Sequence, residues 1–162
     1  MKTKIYEFDP VVYPFPLNVC KYVPGHTAKE IADNYNQVAD RRTALTFSED
    51  DLRANPTLTA KTVCVIDKKT EHMKYLIILY RPKKIRWGIV AHESLHVLTM
   101  MGEWLGFKPP SVNEDEPHAY FISWVANCIG SVIDGRPQDM KGKLLNFEDN
   151  ETKKTERDGE ER

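Results

Sequence analysis

The chain has 162 residues, of which 41% are hydrophobic, so it is long enough for one domain with a hydrophobic core and too short to predict two. Its 23 basic and 24 acidic side chains leave a net charge of −1, so no electrostatic signal favours nucleic acid or an anionic membrane as a partner. No stretch approaches the roughly 20 apolar residues of a membrane-spanning helix.

The N-terminal part of the chain predicts one short strand and two helices. Prolines interrupt residues 1–25, which allows a strand at about 4–8 and then an extended, irregular path. A helix is predicted over 25–40, because Thr27 is a suitable N-cap and apolar residues follow it at helical spacing. The segment 48–56 repeats the capping pattern but ends in a proline, so its helix is expected to be short.

The pattern then changes to that of strands. "TVCVID" (62–67) and "MKYLIILY" (73–80) are β-branched and apolar, and the polar run between them predicts a β-hairpin. A long helix is predicted over 83–101, ending near Gly102. After a loop rich in proline, asparagine and aspartate, a second long helix is predicted over about 115–133.

This order of elements predicts a single α+β domain over residues 1–147, with a small β-sheet packed against two long helices. The tail, 148–162, is highly charged and has almost no apolar side chains. Burial of its few apolar side chains cannot offset the conformational entropy that the tail would lose on ordering, so disorder is predicted there.

The three cysteines predict buried thiols rather than disulfide bonds. Cys20, Cys64 and Cys128 are far apart in the sequence and form no C-x-x-C pair. An odd, scattered set is typical of a reducing compartment. Because the N-terminal residues also lack the pattern of a secretory leader, we expect a cytoplasmic protein.

One predicted helix carries the motif H-E-x-x-H, in "GIVAHESLHVL". Residues four apart lie on one face of a helix, so His92 and His96 can point their imidazoles at one zinc ion. Glu93 is rotated by about 100° from His92. It is therefore placed as a base for a metal-activated water rather than as a third ligand. The pentapeptide alone does not exclude the alternative that His92 and His96 are ordinary histidines that cap the helix, form hydrogen bonds or fill space.

The flanks of the motif favour a metal site. The six neighbouring residues are uncharged, and two histidines and a glutamate on a buried apolar helix would be costly to desolvate without a common partner. Gly88 lies one turn before His92 on the same face, where a strand or a substrate could approach closely.

A third ligand is expected downstream, because catalytic zinc usually has three protein ligands. Glu114, Asp115, Glu116 and His118 stand at the start of the second long helix. Glu116 is in phase with the apolar residues that follow it, whereas His118 belongs to another face. Acidic residues at this place also stabilise a helix N-terminus. Stabilisation of the helix N-terminus explains the presence of Asp115 well and that of Glu116 less well.

These residues resemble the zincin metallopeptidases, of the gluzincin type, whose third ligand is a glutamate on a following helix. The gap of 20 residues from His96 to Glu116 equals that of thermolysin-like enzymes. The resemblance implies a minimal zincin-like fold in which His92, His96 and Glu116 hold Zn2+ and Glu93 is the general base. "HESLH…EDEPHAYFISWV" is also similar to small zincin-like proteins of phages and bacterial mobile elements. The resemblance covers about residues 73–133.

The chain departs from known zincin subgroups in two places. The segment after His96 lacks the glycine and third histidine of the metzincins. Tyr120 follows Glu116 where thermolysin-like enzymes have an aspartate that orients a ligand, so that carboxylate is unassigned here. Tyr120 is our candidate for stabilising the transition state, with His118 and Tyr80 as alternatives.

The sequence thus predicts a zinc-dependent peptidase in which Glu93 is the base for amide hydrolysis. Its partner would be a peptide or protein substrate, bound along strand 74–80 as an added strand at a sheet edge. One alternative is a non-catalytic zinc-containing module of a phage or mobile element on a zincin-like fold. The other is a structural protein without metal. The presence of Glu93 favours the enzyme over the non-catalytic module, because a purely structural site needs no base. No feature of the sequence indicates the oligomeric state.

Overall fold

The computed structural model describes residues 3–11, 13–38, 44–53, 57–106 and 115–137. These residues form six strands and four α-helices. The strands are β1 (Ile5–Phe8), β2 (Leu17–Lys21), β3 (Tyr35–Val38), β4 (Ala44–Thr46), β5 (Ala60–Asp67) and β6 (Met73–Leu79). The helices are α1 (Thr27–Asn34), α2 (Glu49–Leu52), α3 (Trp87–Leu105) and α4 (Glu116–Ile133). The predicted tail over 148–162 lies outside the described residues.

The six strands form one mixed sheet in the order β1-β2-β6-β5-β3-β4. β2 and β6 are parallel, whereas the other neighbours are antiparallel. The β5–β6 hairpin pairs Ala60 with Leu79 at its open end and Ile66 with Met73 next to its turn. The predicted hairpin and the predicted first strand are therefore confirmed.

Helices cover both faces of the sheet, which explains why residues 75–79 of β6 are apolar without interruption. Tyr75, Ile77 and Leu79 lie in a core with side chains of α3 and α4. Leu76 and Ile78 lie in a second core with side chains of α1 and α2. Because successive side chains on a strand point to opposite faces, a strand covered on both faces has no polar alternation. The fold is α+β, with the sheet packed against α3 and α4 as predicted and with α1 and α2 behind it.

Three strands, β2, β3 and β4, were not predicted. The helix expected over 25–40 ends at Asn34, and the next four residues are β3, which pairs with β5. Apolar spacing there fits a helix, but Tyr35–Gln37 pair with β5 and Asn36–Val38 pair with β4, and these tertiary contacts prevail over the local pattern. β2 was not predicted because the preceding prolines, up to Pro16, indicated an irregular path. Pro16 lies directly before the strand, so it removes no hydrogen bond between β2 and its neighbours.

The helix ends follow recognisable local signals. Ser48 and Asp51 form the predicted capping box of α2, each side chain accepting a hydrogen bond from the other's backbone N–H. α3 begins at Trp87, after a 3-10 turn at Pro82–Lys84, and runs past Gly102 to Leu105. Its predicted bounds of 83–101 were therefore four residues too early at both ends. α4 matches its prediction.

The three cysteines are buried and free, as predicted. Burial raises the pKa of Cys20 to about 12 and that of Cys64 to about 11, and it also raises the pKa of Cys128. These thiols are therefore protonated at neutral pH and poor nucleophiles. Within the described residues, no helix is both long and apolar enough to cross a membrane.

Two glycines in the long helices are expected to respond oppositely to alanine. Gly130 lies inside α4, and a Cβ built there meets no atom within 4 Å, so Gly130→Ala should stabilise the fold by about 0.5–1 kcal/mol. Gly106 ends α3 with φ +70°, so Gly106→Ala should destabilise it by about 1 kcal/mol. Thermal and urea unfolding measure both changes. Equal signs for the two variants would contradict this account.

The turn of the hairpin is held by Asp67, which makes stability depend on pH. Burial works to raise the pKa of Asp67, but the backbone N–H groups of Thr70 and Lys69 and the ammonium of Lys74 outweigh it, so this pKa lies below its ordinary value. The ionised form therefore stabilises the fold at neutral pH, and that contribution disappears as the pH falls below about 4.

Asp67→Asn should thus lower the free energy of unfolding at pH 7 by on the order of 1 kcal/mol. The variant should also lose less stability than the wild type between pH 6 and pH 3, since it has no such carboxylate to protonate. Urea titrations at several pH values measure this difference. Asp33→Asn, at an exposed position of α1, is the control and should keep the wild-type pH dependence.

Candidate metal centre

Helix α3 has a buried side and an exposed side, and the motif H-E-x-x-H is divided between them. The buried residues recur every three or four positions and face the sheet and α4; they are Val90, Glu93, Ser94, Val97, Leu98 and Met101. His92 and His96 lie on the exposed side. The spacing thus places the two imidazoles in solvent and the carboxylate in the protein interior.

The two imidazoles converge on one point. Their Nε2 atoms are hydrogen-bonded to each other at 3.0 Å, and the ring centroids are separated by 4.6 Å with the planes perpendicular. Two Zn–N bonds of about 2.0–2.1 Å at the tetrahedral angle would hold the nitrogens about 3.3 Å apart. The His92–His96 pair therefore fits two positions around a zinc ion after an opening of a few tenths of an ångström.

Glu93 has a partner of its own. Its side chain is 5% exposed, and its Oε2 accepts a hydrogen bond of 2.5 Å from the Thr62 hydroxyl on β5. The expectation that the whole motif is buried was wrong, because both histidines and the neighbouring Ala91 and Leu95 are exposed. Of the three polar residues of the motif, only Glu93 is therefore desolvated. The hydrogen bond from Thr62 offsets part of that cost.

Glu116 is the first residue of α4 and is exposed. Phe15 contacts Trp104 near the end of α3, and Tyr13 contacts Phe121 near the start of α4. The two helices are thus antiparallel, with the start of α4 beside the end of α3. His96 precedes the last residue of α3 by nine positions, about 13 Å along the helix axis.

The structure therefore does not bring Glu116 to the histidine pair. In the part of the chain that is described, no group of three or more His, Cys, Asp or Glu side chains has an arrangement that could hold a metal ion. The gap of 20 residues predicted proximity, but α3 continues beyond Gly102 and carries the start of α4 away from the motif. Glu116 as the third ligand stays a prediction. Glu114 lies outside the described residues.

The candidates for stabilising the transition state are in different places. Tyr120 is 45% exposed on the first turns of α4, and His118 is partly buried nearby. Tyr80 lies in the second core, on the face of the sheet opposite α3, where its hydroxyl donates to the carbonyl of Leu52. Tyr80 was therefore a wrong candidate, because the sheet separates it from the motif.

The strand expected to bind a substrate cannot do so by strand addition. β6 is hydrogen-bonded to β2 on one side and to β5 on the other, so its backbone groups are already paired. The prediction that strand 74–80 is a sheet edge was wrong for this reason. The edges of the described sheet are β1 and β4, and all three residues of β4 are exposed.

The exposed side of α3 is uncharged around the histidine pair. Between Arg86 and Glu103, the charged residue of the helix is the buried Glu93. Trp87 and Leu95 are 75% and 54% exposed there, and a Cβ built on Gly88 meets no atom within 4 Å. The close approach of a strand expected at Gly88 is therefore not seen. A solvated helix face normally carries charges, so an uncharged exposed face is unusual for a surface helix.

The pattern of the sequence did not reveal Thr62, because threonine is common in strands and nothing in "TVCVID" distinguishes it. No protein-family model, curated protein or solved structure matches the chain. The resemblance to zincins consequently rests on the residues and their geometry.

Proposed function

We propose that the chain is a zinc-dependent peptidase in which His92 and His96 are two of the zinc ligands and Glu93 is the general base. The observation that carries the proposal is the convergence of the two Nε2 atoms, 3.0 Å apart, on an exposed and uncharged helix face. The carboxylate of the motif lies next to them in sequence and is buried, as a base protected from bulk water would be.

The positions of these groups support a separate role for the metal ion, for Glu93 and for the exposed side of α3. Zinc, when bound, supplies Lewis-acid chemistry that acidifies a water and polarises a carbonyl. The Glu93 carboxylate accepts the proton of the attacking water and returns it to the leaving amine. The substrate approaches from the exposed side of α3, because the opposite side of the helix is packed against the sheet.

The third ligand that we propose is Glu116, with Tyr120 one turn further on as the donor to the transition state. The support for this part is the zincin-like spacing and the exposure of both side chains. It requires the first turn of α4 to move closer to His96 than in the described arrangement. We also propose a cytoplasmic location, which the three free cysteines support.

Metal analysis of the purified protein beside a peptide-library cleavage assay tests the proposal. The wild type should contain one zinc per chain and cleave peptides, whereas His92→Ala and His96→Ala should lose both properties. His72→Ala, at an exposed position in the β5–β6 turn, is the matched control and should keep them. A wild type without zinc, or zinc retained in both motif variants, would contradict the proposal.

The third ligand needs a separate measurement. Glu116→Gln should weaken zinc binding at least tenfold, measured by competition with a chromophoric chelator. Glu103→Gln removes an equally exposed glutamate from α3 and should leave the affinity unchanged. Equal affinities in the two variants would show that another group completes the site.

A second candidate is a non-catalytic zinc-binding module. It is favoured by the position of Glu93, which lies in the core stripe of α3 and is hydrogen-bonded to the sheet as a structural residue would be. Stoichiometric zinc without cleavage of any peptide in the library would establish this alternative over the peptidase.

A further inference from the structure

The hydroxyl of Thr62 contacts the carboxylate of the motif from the sheet below it. Thr62 Oγ1 donates to Glu93 Oε2 at 2.5 Å, across 31 positions of sequence. Glu93 is almost fully buried and Thr62 is partly buried, so the contact is shielded from competing water. We propose that Thr62 is a positioning residue that holds Glu93 in the orientation needed for its role as base. This inference rests on the proposed function.

The strand that carries Thr62 is a rigid platform. β5 is paired along its length with β6, where Thr62 lies opposite Ile77, and β3 pairs with the other side of β5 over Val65–Asp67. Its neighbours on the same face, Ala60 and Cys64, belong to the core beneath α3. Threonine is also stiff at χ1 because it is β-branched. A hydroxyl on this strand is therefore held more firmly than one on a loop would be.

The hydrogen bond from Thr62 makes the two carboxylate oxygens of Glu93 inequivalent. Oε2 accepts the hydrogen bond from Thr62, so Oε1 is the atom that takes the proton of the water. Without the hydroxyl, the buried carboxylate loses a donor, and its orientation is no longer determined by the sheet. The hydroxyl of Thr62 is hydrogen-bonded to Glu93, so Thr62 acts through Glu93.

The test compares three variants in the full-length, zinc-loaded protein. Thr62→Val keeps the shape and removes the hydroxyl, whereas Thr62→Ser keeps the hydroxyl. Thr99→Val makes the same change on the exposed side of α3, where the hydroxyl donates to the Leu95 carbonyl instead. On a peptide that the wild type cleaves, Thr62→Val should lower kcat by about 10- to 100-fold with KM and zinc content unchanged. Thr62→Ser should restore kcat to within a few-fold, and Thr99→Val should match the wild type.

A spectroscopic measurement does not depend on turnover. In protein loaded with Co2+ in place of zinc, the visible absorption bands report the surroundings of the metal. They should change in Thr62→Val and in Glu93→Gln, and they should be unchanged in Thr62→Ser and Thr99→Val. If Thr62→Val does not fold, Thr62→Ala provides the same loss of the hydroxyl with a smaller side chain.

The outcomes separate this inference from the proposed function. A wild type that binds neither zinc nor Co2+ would overturn both. A metal-loaded wild type in which Thr62→Val behaves like Thr99→Val, in kcat or in the cobalt spectrum, would overturn the role of Thr62 alone. A raised KM, a loss of zinc, or a failure of Thr62→Ser to restore kcat would show that Thr62 is only structural.

Discussion

Glutamine in place of Glu93 is expected to abolish peptide hydrolysis while the protein keeps its zinc. An amide cannot take a proton from the attacking water, and the loss of a general base lowers kcat by roughly 10²- to 10⁴-fold. Zinc should remain bound because the two proposed histidine ligands are unchanged and lie on the exposed side of α3. Steady-state kinetics and metal analysis of the same preparations measure the two effects.

The same substitution should not destabilise the fold. The glutamine oxygen can accept the hydrogen bond of Thr62, and the change removes a charge from a side chain that is 5% exposed. The free energy of unfolding of the metal-free protein should therefore be equal to or higher than that of the wild type. Glu103→Gln on the exposed side of α3 is the control for both measurements. Full activity in Glu93→Gln would eliminate the proposed base.

Alanine at either of two adjacent positions of β6 is expected to destabilise the protein strongly. Ile77 and Ile78 are both 0% exposed, yet they belong to the two different cores. Because each truncation removes buried methyl groups and leaves a cavity, Ile77→Ala and Ile78→Ala should each cost about 2–5 kcal/mol. Urea unfolding with a two-state fit measures both values.

The comparison between these two variants tests whether both faces of the sheet are covered. In a sheet with one solvated face, one of the two substitutions would have little effect. Leu95→Ala, at an exposed position of α3, is the control and should change the free energy of unfolding by no more than about 0.5 kcal/mol. A small effect for Ile78→Ala would show that α1 and α2 do not pack as described.

Elements with strong local signals could be predicted from the sequence. α4 has a proline at its start and a long apolar stripe, and the β5–β6 hairpin has β-branched strands on either side of a polar turn. These signals come from residues close together in sequence, so they do not depend on a distant partner. The capping box of α2 is of the same kind.

Elements that depend on distant partners could not be predicted. The apolar spacing of Ile31, Tyr35 and Val38 suits a helix, but the pairing of Tyr35 with β5 and of Val38 with β4 makes the last two residues part of a strand. Likewise, nothing within β6 shows whether its edges are open. The parallel pairing with β2 closes one of them, and β2 is more than 50 residues away in the sequence.

For the candidate site, helical periodicity alone requires that His92 and His96 share a face, so the sequence was enough to predict it. Whether that face is buried or exposed depends on how α3 packs against the rest of the fold. α3 packs against the sheet through the stripe that includes Glu93, so the histidines are left in solvent and the carboxylate meets Thr62. The place of Glu116 also depends on where α3 ends and how α4 packs. Contacts between distant segments set these positions, and local spacing carries no information about them.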